Sequence, residues 1–463
     1  MRRIATSLIL ALVAFMLAAP PAAEAASVQY SFSGGVLTAT GTSGDDSLDA
    51  GCSGFGNVTV NSVTNFGLGP ILCASVAAIT LLGKDGNDSL NTTPVNGTDY
   101  TSILTTTLKG GAGNDTLSAS VIADTVKGGA GNDSLRGSFG NDNIGGGKGY
   151  DTLVEIGFPF GMGDTIMLTD TTMSGDLGND TLSSMESADI KGTTMADVMS
   201  AAGFHGRVMF DGDAAGDSIT GGPGDDTLLG GPGADTIVGG SGNDGIVPGP
   251  SDDTVQGGPG NDTLAESTAA STTVTDTTMT ASTTGTDHFT QMERVFVIAD
   301  VAAPVTLNAG AASIPVMLMS GTGNDTLIGG SGDDAFMTSL GTDSVNGGAG
   351  SDVLINVADA HQSLTNTTLT ASGETDALLS IERAILEGGP SDNAIFTSSF
   401  GGRVVLRGEG GNDALIGGNR DDELFGGDGD DTLDGMGGDD LLDGGHGNDT
   451  CNGGSGSNTL KSC

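Results

Sequence analysis

A nine-residue period that keeps its phase is the strongest constraint on what this chain can fold into. GGAGNDTL begins at Gly110, GGAGNDSL at Gly128 and GGKGYDTL at Gly146. Related octets begin at Gly221, Gly230, Gly239, Gly257, Gly329, Gly347, Gly426 and Gly444. Starts at 83, 110, 128, 137 and 146 differ by multiples of nine, as do 212 through 257, 320 through 347, and 408 through 453. Weak copies hold the phase too, with Asp124 and Val126 standing where the Asp and the apolar residue belong. A flexible Gly-rich linker has no reason to keep such register.

Composition narrows the fold further. The 463 residues include 81 Gly, 59 Asp or Glu and only 15 Lys or Arg, for a net charge of −44, with 4 % aromatics and no Trp. That leaves too few large apolar side chains for several thick cores. Nucleic acid and anionic membrane surfaces are excluded as partners, because both need basic residues in excess. A disordered acidic polymer and a thin repetitive fold that needs cations remain, and the register selects the second, with disorder expected for the metal-free chain. The unit GGxGxDx-apolar-x reads as a tight turn followed by a short strand with one inward side chain. Two units make a coil of 18 residues, with a turn on each side and Leu, Ile or Val ladders between.

This repeat resembles the hemolysin-type, or RTX, calcium-binding nonapeptide, which implies an all-β, parallel β-roll or β-solenoid of stacked 18-residue coils. In that family Ca²⁺ lies between turns one coil apart, held by glycine-region carbonyls and Asp carboxylates. The chemistry suits Ca²⁺, which takes about six to eight hard oxygens in a flexible cage. Carried onto this chain, the resemblance implies ligands from Asp88, from Gly110, Gly111, Gly113 and Asp115, and from Gly128, Gly129, Gly131 and Asp133. Gly146, Gly147, Gly149 and Asp151 continue that edge, and Asp124 pairs with Asp142 opposite. A second group sets Asp226, Asp244 and Asp262 on one edge and Asp217, Asp235 and Asp253 on the other. A third pairs Asp325 with Asp343 and Asp334 with Asp352; a fourth stacks Asp413, Asp431 and Asp449 beside Asp422 and Asp440. The cofactor expected is Ca²⁺ at multiple sites, on the order of a dozen ions. Ser251, Arg420 and Asn458 depart from the motif and weaken their own turns.

The remaining segments set the organisation. Residues 1–26 read as a signal peptide, with Arg2 and Arg3 ahead of the apolar run Ile4 to Leu17. Residues 27–82 form an N-terminal cap with an early repeat; calcium repeat blocks occupy 83–154, 212–265, 320–355 and 408–463, the last with a C-terminal cap. Inserts at 155–211, 266–319 and 356–407 share LTDTTMS from Leu168, VTDTTMT from Val274 and LTNTTLT from Leu364. Rich in Thr and Val, they read as calcium-free β coils continuing the solenoid, with small protruding domains the alternative. Cys52–Cys73 and Cys451–Cys463 are the expected disulfides, although four cysteines allow three pairings.

No catalytic constellation stands out. None of His205, His288, His361 and His446 begins HExxH, and neither GxSxG nor a phosphate-binding GK[ST] occurs. An EF-hand hint at Asp428 to Asp430 lacks the terminal Glu. The reading is a secreted, extracellular calcium-binding repeat protein, not an enzyme, with a structural or adhesive role and no membrane insertion. A cell-surface or polysaccharide partner is left open. The alternatives are a secreted β-helical polysaccharide-acting enzyme and a Thr-faced glycan- or ice-binding protein.

Overall fold

The computed structural model describes residues 28–52, 58–61, 71–95, 103–157, 163–299 and 301–463. The expected signal peptide and the side chain of Cys52 lie outside the described residues. The chain is an all-β parallel roll of short strands, with a single 3-10 turn at Cys73–Ser75 among the described residues. No helix among them is long and apolar enough to cross a membrane. The strands fall into two compact units: residues 1–246 with 256–260, and residues 247–255 with 261–463.

In the first unit the chain alternates between two parallel walls. One wall stacks Ala78–Asp85, Thr105–Ala112, Asp124–Ala130 and Asn143–Lys148 in that order. The other stacks Ser89–Asn91, Thr116–Ser118, Ser134–Arg136 and Thr152–Ile156. Because strand side chains alternate, each three-residue strand sends its middle residue inward. Register therefore places Leu117, Leu135 and Leu153 above one another, and Leu108, Val126 and Ile144 on the facing wall, all buried. Each such leucine is worth about 2 kcal/mol of burial, so the core is thin but repeated in every coil. At the start, Gln29–Ser33 pairs antiparallel with Val36–Thr40 through Gly34 and Gly35, whose φ of 60° and 83° suit a two-residue hairpin.

The second unit uses the same plan. Leu318, Phe336 and Leu354 stack on one wall, followed after the insert by Leu406, Leu424 and Leu442. Leu415, Leu433 and Cys451 line the other wall, and Cys451 is bonded to Cys463 as expected. Cys73 is also disulfide-bonded.

The inserts keep to the walls but are not plain coils. Thr165–Thr169, Thr172–Gly175 and Gly178–Ser183 form an antiparallel meander whose last strand pairs parallel with Asn143–Lys148 and whose first pairs parallel with Val198–Gly203. On the opposite wall Thr152–Ile156, Ser187–Lys191 and Arg207–Asp211 continue in parallel. The chain thus steps forward along the wall and folds back before resuming. The meander of Gln362–Thr365, Thr368–Ala371 and Glu374–Leu379 repeats the device in the second unit, as does that beginning at Thr272–Thr275.

Candidate metal centre

Each GGxGxD corner places its Asp at the point where the turn enters the strand, and the backbone fixes it there. The Asp115 N–H donates to Asp133 Oδ1 at 2.8 Å, and the Asp133 N–H donates to Asp151 Oδ1 at 2.9 Å. The N–H of the following residue returns the contact, Ser134 to the Asp115 carbonyl and Thr152 to the Asp133 carbonyl, both at 2.8 Å. The same ladder joins Asp88 to Asp115, Asp124 to Asp142, Asp217 to Asp235, Asp226 to Asp244, Asp325 to Asp343, Asp334 to Asp352, Asp413 to Asp431, Asp422 to Asp440 and Asp431 to Asp449. Asp262 sends its N–H to Glu293 Oε2 at 2.7 Å, and Asp253 sends its own to Asp287 Oδ1 at 3.2 Å. Asn458, at an Asp position, still accepts the Asp440 N–H at 2.8 Å.

One oxygen of each ladder carboxylate is thereby used, and at many corners the other is left over. Oδ2 of Asp88, Asp115, Asp133, Asp142, Asp151, Asp217, Asp325, Asp343, Asp352, Asp413, Asp431 and Asp440 is buried without a hydrogen-bond partner. An unpaired buried carboxylate oxygen is costly, and Asp115, Asp133 and Asp151 form no ion pair with Lys or Arg among the described residues. Burial pushes the Asp115 carboxyl up to about 7, against the Asp88 N–H, with the charges of Asp133 and Asp88 adding to the rise. Asp217 and Asp343 are raised to about 7 by burial in the same way.

Glycines supply the other half of the corner. A Cβ on Gly128 would strike both Asp133 Oδ2 and the carbonyl oxygen of Gly146 in the next coil. At Gly83 the pair is Asp88 Oδ2 with the Gly110 carbonyl, and at Gly408 it is Asp413 Oδ2 with the Gly426 carbonyl. Carboxylate and carbonyl oxygens therefore converge beside a bare Cα. Two electron-rich oxygens with no donor between them make a notch suited to a hard cation. The next glycines hold the turn open: Gly129 and Gly131 have φ of 129° and 133°, and a Cβ on either would hit the carbonyl of Gly111 or Gly113 one coil before. The same stacking sets the Gly129 and Gly131 carbonyls against Gly147 and Gly149.

Not every corner is alike. In the turn ending at Asp226, the Gly222 N–H closes onto Asp226 Oδ2 at 2.6 Å, and Gly330 and Gly418 do the same for Asp334 and Asp422. Ser120 closes onto Asp124 with both its N–H and its hydroxyl. These corners satisfy their own carboxylate from within the turn. No group of three or more His, Cys, Asp or Glu among the described residues is placed to hold a metal by side chains alone, so backbone carbonyls must complete any cage.

A second ladder lies outside the first. Where the residue before the Asp is itself Asn or Asp, it accepts the N–H of its counterpart in the next coil, as from Asn132 to Asn114 Oδ1, Tyr150 to Asn132 Oδ1 and Asn448 to Asp430 Oδ1, at 2.8 to 2.9 Å. The motif GGxGxD leaves this position open, yet the recurrence of Asn and Asp there was a signal for it.

The family model described as RTX calcium-binding nonapeptide repeat matches residues 105–120, 122–153, 211–246, 249–265, 319–354 and, in overlapping stretches, 401–424, 407–442 and 425–460. No curated protein matches the chain.

Proposed function

From the premise that this chain belongs to the RTX calcium-binding nonapeptide repeat family, we propose that it is a secreted protein that folds on multiple Ca²⁺ ions and serves a structural or adhesive role. The observation that carries this reading is the row of buried, partnerless Asp Oδ2 atoms facing glycine carbonyls. Asp88, Asp115, Asp133 and Asp151 supply charge on one edge, with Asp124 and Asp142 opposite. Gly110, Gly128 and Gly146, with the glycines that follow them, supply neutral oxygens. Calcium bound there relieves carboxylate repulsion. It draws successive corners together, so that its binding free energy becomes folding free energy.

The net charge of −44 makes the metal-free chain self-repelling. Extracellular fluid, rich in calcium, is where such a chain would fold. A non-catalytic role agrees with the matched family, whose repeat is a calcium-binding element. The deciding measurement is far-UV circular dichroism during a calcium titration, with magnesium as control. A cooperative gain of β signal with calcium alone is expected. Full β structure in excess chelator, unchanged by calcium, would overturn the reading.

A further inference from the structure

The ladder of carboxylates does not stop where the matched repeat segments stop. Past Asp142 the next corner on that edge is the imperfect, out-of-phase GDLGND of Gly175 to Asp180, and the Asp142 N–H donates to Asp180 Oδ1 at 2.8 Å across 38 residues. The Thr181 N–H returns to the Asp142 carbonyl at 2.8 Å, and the outer ladder follows, Asn179 N–H to Asn141 Oδ1 at 2.9 Å. Gly178, with φ of 138°, bridges Gly140, and a Cβ there would strike the Gly140 carbonyl, as at the repeat corners. Asp180 is delivered by the antiparallel meander and lies outside every segment that matches the repeat family.

The other inserts do the same. Asp253 reaches Asp287 across 34 residues and Asp343 reaches Asp376 across 33. We propose that each insert carries a divalent-cation site of its own at its junction with the repeats, built on Asp142 with Asp180, Asp253 with Asp287, and Asp343 with Asp376. The proposal rests on the calcium reading of the repeats and extends it to acids outside the segments that match the repeat family.

Unsatisfied oxygens point to a ligand at the first junction. Asp142 and Asp180 are each 2 % exposed, and Oδ2 of both lacks a hydrogen-bond partner. A third acid explains why. In self-closed corners the second residue of the turn gives its N–H to the turn's own Asp, whereas the Ser138 N–H goes to Glu155 at 3.1 Å, beside the Gly137 N–H at 2.7 Å. Glu155, fully buried four residues past Asp151, thus leaves Asp142 Oδ2 open and brings a third carboxyl to the junction. The nearest compensation is Arg136, whose Nε is 3.8 Å from Glu155 Oε2.

Glu266 occupies the equivalent place four residues past Asp262, buried, with Oε2 unpartnered. At the third junction the place is taken by neutral Asn356, and Thr338 already donates to Asp376 Oδ2 at 3.3 Å. The first two junctions therefore hold their cation more tightly than the third.

The test counts ions on the full chain. Equilibrium dialysis against calcium, followed by metal analysis, gives the calcium-to-protein ratio of the parent, of D180N/D287N/D376N and of each single variant. Asparagine keeps the Oδ1 acceptor, as Asn458 does for Asp440, so the ladder survives while the charge is lost. The triple variant is expected to bind three fewer ions, and each single variant one fewer. A ratio equal to that of a calcium-binding parent overturns the junction sites while leaving the repeat reading intact. A parent that binds no calcium overturns both. Should the triple variant fail to show β signal in calcium, the single variants decide by the same count.

Discussion

The repeat corners between Gly110 and Asp151 and the insert between Thr165 and Gly203 share the same two walls and turn their corners by opposite means. In the repeats, a carboxylate oxygen and a glycine carbonyl face each other with no donor between them. In the insert the corner is closed by its own side chains. Thr169 Oγ1 meets Thr172 Oγ1 at 2.7 Å and accepts the Thr172 N–H at 3.0 Å. Asp170, at the tip, accepts the His205 N–H at 2.7 Å and contacts His205 Nδ1 at 2.8 Å. The pattern recurs as Thr275 with Thr278, and as Thr365 with Thr368 beside Asn366 and the Gly401 N–H. The corners of Asp115, Asp133 and Asp151 are incomplete without a cation, whereas the threonine-clasped tips of the inserts are complete as they stand.

Calcium removal should break this symmetry most strongly. In chelator, hydrogen exchange of the Asp115, Asp133 and Asp151 amides should accelerate by orders of magnitude, because their acceptors are carboxylates that repel one another once uncompensated. Amides of the Thr165–Gly175 hairpin, away from Asp180, should lose protection later, since hydroxyl and backbone partners hold its tip. Equal and simultaneous loss in both regions would show that the insert has no stability of its own.

The period gave away the repeat corners because each residue of GGxGxD answers a local geometric demand that sequence displays directly. The inserts hid more. Thr-rich alternation correctly reads as strand, but nothing in LTDTTMS says whether its strands run parallel to the wall or fold back, since that depends on which partner edge is free. Asp180 closes Gly175-Asp176-Leu177-Gly178-Asn179-Asp180, a copy of the motif with Asp in place of the second glycine and out of the phase of the block before it. Glu155 was hidden for another reason. It follows Leu153 by two residues on the same inward face of Thr152–Ile156, so alternation points it into the roll, but an acid in that place reads from sequence as a solvent-facing side chain.

A glycine exchange sharpens the comparison next. Gly129→Ala places a Cβ against the Gly111 carbonyl at a φ of 129°, which should cost about 3 kcal/mol from strain and overpacking together. Gly373→Ala, in the insert hairpin, has a φ of 84° but no atom within 4 Å of the new Cβ, so only the left-handed penalty of about 1 kcal/mol should appear. Calcium-dependent thermal melts of both variants separate the two contributions. Equal losses would mean that coil-to-coil contact contributes nothing at the repeat corner.

Asp115→Asn should act with opposite sign in the two metal states. With calcium, the loss of one ligand charge should weaken binding about tenfold, roughly 1.4 kcal/mol. Without it, the neutral isostere should stabilise, because the folded carboxyl is raised to about 7 from its ordinary 3.8. A raised carboxyl contributes stability that is complete below the ordinary value and is lost as pH climbs through the folded one. Without calcium the parent should therefore keep more residual β structure at pH 5 than at pH 8, with the variant less sensitive between them. Far-UV circular dichroism in chelator at those two pH values checks the sign, and a parent whose β signal rises with pH would contradict it.

The smallest effect belongs to the threonine clasp. Thr169→Val keeps the branched shape and removes one exposed hydroxyl that bonds Thr172, so the expected loss is about 1 kcal/mol. Because that hydroxyl touches no ladder carboxylate, calcium affinity should not change, and the damage should be confined to amide protection of Thr171 and Thr172, whose N–H groups it accepts at 3.3 and 3.0 Å. Hydrogen exchange in saturating calcium, compared with a calcium titration of the same variant, reads the two quantities separately. A fall in calcium affinity comparable to that of Asp115→Asn would mean that the insert corner and the repeat corner are mechanically coupled, and that the insert braces the metal sites instead of standing beside them.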